Sequence, residues 1–355
     1  MGLIWHGVDE IPEDFGPTAV TIGNFDGVHR GHQQVLGRLL STAKENGSRA
    51  VAVTFDPHPA QVHRPDTAPH LIMGIEDRLA ALSGYGLDAI LVLHYTLEFA
   101  QQSAEDFVRS IFVDALHASH VVVGHDVRFG RGNAGDLAAM QELGERFGFG
   151  VVVVDEFTEQ APRHRAAEAL PDAAEGGSAE RDGAEGYDAE ERRCSSTWVR
   201  EALESGDVRT AAEILGRPHA MHGTVVHGAS RGRALGFPTA NLSHDAAGHV
   251  PADGIYAGWL IDASGTRWPA AISVGSNPTF AGVARQVEAH VIDRPEEAPE
   301  DFDLYGQNIV VEFVERLRGM VAYRGPEALV EQMKLDVDAA RHVLATSGQG
   351  GAPAR

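Results

Sequence analysis

A single cysteine, Cys194, occurs in 355 residues. It rules out an intrachain disulfide and any thiolate metal cluster, and it fits a reducing compartment. Lysine is almost as scarce. Lys44 and Lys334 are the only two, and neither follows a glycine-rich run, so the Gly-Lys-Ser/Thr of a P-loop is absent. No apolar run approaches the ~20 residues that span a bilayer. The segment Met1–His6 lacks the basic stretch followed by an apolar one that marks a secretory signal. A cytoplasmic protein without membrane contact is expected. Positive charge is short as well, with 29 Lys and Arg against 51 Asp and Glu and a formal net charge of −22. A nucleic-acid-binding surface relies on a basic footprint, so nucleic acid is not expected as a partner.

What is present is ordinary globular material, 43% hydrophobic and 23% charged. The length suits two domains, since single domains cluster near ~100–200 residues. Between residues 19 and 154, short apolar runs alternate with segments of helical period. Strands are predicted at Ala19–Phe25, Ala50–Phe55, Ala89–Leu93, His120–Gly124 and Gly150–Val154, and helices at Gly31–Glu45, Gly74–Gly84, Ala104–Leu116 and Asn133–Phe147. This alternation predicts an α/β domain, a parallel sheet covered on both faces, with ligands at the carboxyl ends of its strands. Residues Ala166–Glu191 hold nine acids against Arg181 alone and have few apolar anchors, which predicts a disordered acidic loop. A helix pair follows, Thr197–Ser205 and Val208–Leu215, and Arg217-Pro218 marks a boundary. Beyond it, strands at Gly223–His227, Ile255–Ile261, Trp268–Val274, Gln286–Ile292 and Asn308–Glu315 predict a small antiparallel β-barrel closed by a helix over Pro326–Ala345. The expected division is 1–216, 217–345 and a disordered tail from Thr346 to Arg355.

Two constellations carry chemistry. Gly23-Asn24-Phe25-Asp26-Gly27-Val28-His29-Arg30-Gly31-His32 leaves a strand and enters a helix. A helix N-terminus offers free N–H groups and positive potential to a phosphate, and Gly31 keeps side-chain bulk away from it. His29 and His32 can donate to a phosphate during substitution, a reaction that needs placed donors more than covalent chemistry. In Arg193-Cys194-Ser195-Ser196-Thr197-Trp198-Val199-Arg200, Ser196 can cap the helix and Arg200, one turn on, can face the same phosphate. The second constellation is the fifteen-residue run His227–Asn241, with Gly228, Gly232 and Gly236 spaced to let backbone amides wrap a polyphosphate and Arg231 and Arg233 to neutralise it. After Pro238, Thr239 and Asn241 fall on one face of an extended segment, where both can reach a single Mg2+. Glu288 and His290 share one face of a strand.

With these motifs the chain resembles the bacterial bifunctional riboflavin kinase/FAD synthetase family over nearly its whole length, and its first half resembles the nucleotidyltransferases with a His-x-Gly-His motif. The resemblance implies a Rossmann-like nucleotidyltransferase domain and a riboflavin kinase barrel. It implies that ATP phosphorylates riboflavin to FMN in the second module, and that ATP then adenylylates FMN to FAD in the first. His29 and His32 would contact the ATP phosphates there, with Gly23, Phe25, Asp26, Gly31, Ser196, Thr197 and Arg200 binding ATP. The run Thr54–Pro59, with His58 and Pro59, would line the same site, as would Arg193 and Asp126 of the run Gly124–Gly130, where Val127 replaces the family's usual aromatic. In the kinase module Gly228, Arg231, Gly232, Gly236 and Pro238 would bind ATP, Thr239 and Asn241 the Mg2+, and Glu288 would act as general base. The runs Gly275–Phe280 and Asp303–Gly306 match the family too and read otherwise as turns. Phe313–Tyr323, with Arg316, Arg318 and Tyr323, is a looser match. The implied partners are small-molecule flavins and ATP, the chain acting as a monomer or weak homo-oligomer. Two other readings stand beside this one: nucleotidyl transfer to a different phosphate acceptor, and a flavin carrier that retains the folds.

Overall fold

The structure is a computed structural model that describes residues 2–160, 191–228, 237–279, 282–293, 304–321 and 325–347. Its first half is a six-stranded parallel sheet. The strands are β1 (Leu3–Trp5), β2 (Thr18–Ile22), β3 (Arg49–Asp56), β4 (Ala89–His94), β5 (Ala118–Gly124) and β6 (Gly150–Val154), in the order β1-β4-β3-β2-β5-β6. Val20, Val51, Val53, Leu91 and Val121 are buried toward one face, and Ala19, Ala52, Ile90 and Val122 toward the other. That two-sided burial explains why these strands read as unbroken apolar runs. Helices α1 (Arg30–Asn46) and α3 (Ile75–Ser83) cover one face through Leu36, Leu39, Leu79 and Leu82. On the other lie α4 (Ala104–Phe107), which continues as a π-helical stretch over Val108–Ala115, and α5 (Leu137–Phe147), burying Phe107, Phe112 and Met140. Strand order reverses at β2, which lies between β3 and β5, and that is where an open α/β sheet opens a crevice for ligand.

Two boundaries differ from expectation here by three residues or more. Strand β2 stops at Ile22 instead of Phe25, because the chain turns with positive φ at Phe25 (49°), Gly27 (84°) and Val28 (42°). Helix α5 begins at Leu137 instead of Asn133, with the Asp136 carboxylate accepting from Ala139 N at 3.0 Å as its cap.

Past β6 an antiparallel ribbon pairs β7 (Thr158–Gln160) with β8 (Glu191–Arg193). Of the stretch read as an acidic loop, only Glu191 falls within the described residues, and it opens β8. Then come α6 (Ser196–Ser205) and α7 (Val208–Leu215), close to the predicted pair.

The second half is a closed antiparallel barrel of β9 (His219–Val226), β10 (Ala240–Leu242), β11 (Gly254–Ile261), β12 (Arg267–Thr279), β13 (Gly282–Val291) and β14 (Asn308–Arg318), in the order β10-β13-β12-β11-β14-β9. Gly275–Thr279, read as turn chemistry, instead extends β12, pairing from Gly275 with Gln286 to Thr279 with Gly282. Cross-strand pairing overrides the weak strand propensity of Gly, Asn and Pro. Helix α8 (Pro326–Ser347) lays Ala340 and Leu344 against Ala257 and Ile292. It carries Thr346 and Ser347, so the expected tail from 346 begins two residues too early, and 348–355 lie outside the described residues.

The barrel interior, including Tyr256, Leu260, Ile272, Val287 and Phe313, forms one apolar cluster with Trp198, Val199, Leu203, Val208, Ile214 and Leu215 of α6 and α7. The helix pair therefore packs as part of the barrel's core. Among the described residues no helix is long and apolar enough to cross a membrane.

Candidate active sites

The first site is a cleft of about 320 Å³ at the carboxyl ends of β2, β5 and β6, within the range of small-molecule pockets. Gly23, Phe25, His29, Gly31, His32, Asp126, Val127, Arg128 and Arg193 are among its lining residues. His29 caps α1: its Nδ1 accepts from His32 N at 3.4 Å, so the neutral ring carries its proton on Nε2. The rings of His29 and His32 stack with centroids 3.7 Å apart, and Phe25 meets His32 edge-on at 5.2 Å. Burial, with Arg193 adding to it, pulls the His29 pKa down to about 4. Burial and then the neighbouring His29 hold His32 well below the usual imidazole range. Both rings are therefore neutral near pH 7. His32 Nδ1 is buried without a partner among the described residues, a polar atom that a ligand could satisfy. A Cβ at Gly31 would come within 3.2 Å of the His29 ring and 3.3 Å of Cys194 O, so that glycine keeps His29 in place as well as sparing room.

At the cleft mouth Arg193 pairs with Asp126 and, at 3.1 Å, with Glu156, while His125 Nε2 lies 3.3 Å from Asp155. Behind the cleft, Asp26 is buried and accepts from Ile72 N at 3.0 Å, Met73 N at 3.3 Å and the Arg200 guanidinium. Its carboxylate is thus consumed within the protein. Arg200 Nε also donates to His70 O at 2.7 Å. The cap of α6 is Ser195, whose hydroxyl accepts from Trp198 N at 3.2 Å, and not Ser196 as expected. Adjacent serines both suit an N-cap, and Ser196 is drawn off because its hydroxyl donates to Asp26 O at 2.8 Å. His58 caps α2 (Pro59–His63), accepting from Ala60 N at 3.1 Å, and is not among the cleft-lining residues. Thr197 is exposed.

The second site lies on the outer face of the barrel. Asn241 on β10 stands directly opposite Glu288 on β13, while the residues flanking each, Ala240 and Leu242, Val287 and Ala289, point into the core. Thr239 Oγ1 donates to Glu288 Oε2 at 3.2 Å, and Asn241 Nδ2 reaches Thr239 Oγ1 at 3.4 Å. Glu288 thus faces outward from the barrel yet is half-buried in a polar cluster. Gln286 Nε2 donates to Asn241 Oδ1 at 3.2 Å, and His290 Nδ1 to Pro238 O at 2.8 Å. A Cβ at Gly228 would sit 2.4 Å from Asn241 Oδ1, so any other residue there would displace the Asn241 amide. Arg231, Gly232 and Gly236 lie outside the described residues. Among the described residues there is no cluster of three or more His, Cys, Asp or Glu able to hold a metal.

Against known families, the FAD synthetase model matches residues 11–165 and the riboflavin kinase model residues 215–344. The bifunctional riboflavin kinase/FMN adenylyltransferase of Pseudomonas fluorescens is 36% identical over 337 residues, spanning 95% of this chain and 96% of its own. The chain belongs to the bifunctional riboflavin kinase/FMN adenylyltransferase family. The family member from Escherichia coli K12 is 30% identical with 95% of both chains covered. Among solved structures, a macrolide-efflux protein from Streptococcus pneumoniae is similar with TM-score 0.75 and 26% identity, over 96% of this chain and 98% of that one.

As a member of this family the chain phosphorylates riboflavin to FMN and adenylylates FMN to FAD, with ATP as co-substrate. Gln286 was not singled out from sequence, although it shares the two-residue period of Glu288 and His290. Nor was Arg78, buried and donating to Asn24 O at 2.8 Å and Phe55 O at 2.9 Å. Nothing in the sequence around Arg78 distinguishes it from a surface helix residue. Of the looser family match, Arg316 donates to Ser205 O at 3.1 Å and Asp253 O at 2.6 Å, and Arg318 pairs with Asp336. Tyr323 lies outside the described residues.

Proposed function

We propose that the two reactions divide between the two sites, adenylyl transfer in the cleft holding His29 and His32 and riboflavin phosphorylation on the barrel face holding Glu288. The observation that carries this is the pairing of Glu288 with Thr239 and Asn241 on one site and of two neutral, stacked imidazoles on the other. In the cleft an FMN phosphate oxygen attacks the α-phosphorus of ATP and the bond to pyrophosphate breaks. The Nε2–H of His29 and the His32 ring stabilise the developing phosphoryl charge, with no proton removed from either beforehand. Arg193 exchanges its carboxylate partners for nucleotide phosphate. On the barrel the 5′-hydroxyl oxygen of riboflavin attacks the γ-phosphorus, the bond to ADP breaks, and Glu288 receives the hydroxyl proton.

Thr239 Oγ1 and Asn241 Oδ1 are the hard, neutral oxygens that suit a Mg2+ carried chiefly by nucleotide and water, and the lack of an acidic cluster among the described residues fits that division. When bound, such an ion neutralises phosphate charge. In chemical terms the modules divide as 1–216 and 217–345. A cytoplasmic monomer or weak homo-oligomer suits small, diffusible substrates.

The test is product analysis on the intact chain. Glu288→Gln should cut riboflavin phosphorylation by ~10²–10⁴ and leave adenylylation of supplied FMN intact. His32→Ala should slow adenylylation by ~10²–10³, so that FMN accumulates without FAD. A His32→Ala protein that makes FAD at the parent rate refutes the cleft assignment, and full kinase activity in Glu288→Gln refutes the base.

A further inference from the structure

The turn that delivers His29 is held in an unfavourable shape. Phe25, Gly27 and Val28 all have positive φ, and Val28 is β-branched, for which the left-handed region is a genuine outlier. Such a conformation persists only where its surroundings over-determine it. Val28 is buried, and its N–H bonds to Phe25 O at 3.0 Å.

The carbonyls of this turn are held from the far side of the chain. Arg217 Nη2 donates to Gly27 O at 2.9 Å, and Nη1 lies 3.5 Å from Val28 O and 3.3 Å from Leu215 O. Gln33, on the first turns of α1, donates to the same Val28 O at 2.9 Å and to Leu215 O at 2.8 Å. From the sequence Arg217 is half of a linker dipeptide. In the structure its guanidinium is partly buried and, among the described residues, forms no ion pair: desolvation lowers its pKa, opposed by Tyr85 and then Asp77. Withdrawing a cation partly from water to spend it on backbone carbonyls has a cost and calls for a reason. Arg78 has the same habit on the other side, holding Asn24 O and Phe55 O. The turn from Asn24 to Val28 thus lies between two arginines, the buried Arg78 of the sheet domain and the partly buried Arg217 that leads into β9.

We propose that Arg217 is a positioning residue for adenylyl transfer: by fixing the carbonyls of Gly27 and Val28 it sets where His29 and His32 stand in the cleft. The proposal rests on the assignment of adenylyl transfer to that cleft. Arg217 touches no reacting atom, and it connects the entry of the kinase barrel to the geometry of the other reaction.

The experiment uses the intact chain, with kinase rate in the same sample as the control for folding. Arg217→Ala should lower kcat for adenylyl transfer ~10–100-fold, the loss that a displacement near 1 Å produces. KM for ATP and FMN should change little, the kinase rate should stay within about twofold of the parent, and the ring signals of His29 and His32 in ¹⁵N-edited NMR should move. Arg217→Lys keeps one donor and should recover part of kcat. Parent-level kcat in Arg217→Ala overturns the proposal, as does a joint fall of both activities in proportion to the folded fraction. If Arg217→Ala fails to fold, Gln33→Leu decides: it removes the other donor to Val28 O, and an unchanged adenylyl kcat there overturns the bracing idea. His32→Ala separates the two levels. A fully active His32→Ala removes the site assignment itself, whereas an inactive His32→Ala beside a fully active Arg217→Ala removes only the role of Arg217.

Discussion

Five histidines are held neutral by burial, and their cost appears on acidification. His29, His219 and His249 are pulled down to about 4, and His32 and His58 are lowered as well, desolvation being the leading cause for each. Between about pH 4 and the unfolded value of 6.5 the unfolded chain binds more protons than the folded one at these sites, so unfolding free energy rises with pH across that window. Above 6.5 they contribute no slope. Thermal melts in a pH series should therefore give a Tm that is flat from pH 7 to 8 and falls steadily below pH 6.5. A Tm indifferent to pH between 7 and 5 contradicts the buried, neutral state. At this scale the spacing in the sequence foretold which side chains stand together, as His29 does with His32 and Thr239 with Asn241. It was not readable where two residues compete for one role, as Ser195 and Ser196 do for the cap of α6. Asp26, too, lies in the run expected to bind phosphate, but the structure uses its carboxylate internally, through backbone donors at Ile72 and Met73 that are remote in the chain.

Elements with a long periodic signal fell where their periodicity put them. β6 and α7 match to the residue, and α1 within one residue at each end. The three-residue strands β1, β7, β8 and β10 were missed, because so short a run has no period of its own and exists only through its partner strand. The β7–β8 ribbon bears on function. It is fastened to the start of α1 by Arg30, which donates to both carboxylate oxygens of Glu159 at 2.9 and 2.7 Å, and it ends on Arg193 at the cleft mouth. Residues 166–190 between its strands carry little apolar material and, apart from Arg181, no cation. Replacing 166–190 by a short Gly/Ser linker, with both strands kept, should leave adenylylation and phosphorylation close to the parent. A tenfold fall in adenylylation, ~1.4 kcal/mol in the barrier, would mean that the segment closes over the cleft.

Over the whole molecule, the boundary of chemistry and the boundary of packing do not coincide. Ser196 and Arg200 of α6 bond to Asp26 beside the cleft, while Trp198, Val199 and Leu203 of the same helix lie in the barrel's core. No composition shift in the sequence marks this, since an amphipathic helix does not name the surface it covers. Removing the helix pair would take six large side chains, Trp198, Val199, Leu203, Val208, Ile214 and Leu215, out of the shared core and expose the barrel residues packed with them. At ~1.5–3 kcal/mol per side chain this is on the order of 10 kcal/mol, as much as a typical domain's total stability. A fragment starting at Ser195 should therefore fold and phosphorylate riboflavin, whereas one starting at Arg217 should aggregate or melt far lower, as thermal denaturation of the two would register. Equal stability of the fragments would mean that the shared core contributes little. The same arrangement bears on how such a gene can be reshuffled. A crossover at the Arg217 codon would join one lineage's helices to another lineage's barrel and mismatch an interior surface. One placed before Ser195 instead would transplant helices and barrel together, leaving the recombinant the polar contacts around Asp26, Gly27 and Val28, the packing of Ile72 and the His222–Asp77 pair to readjust.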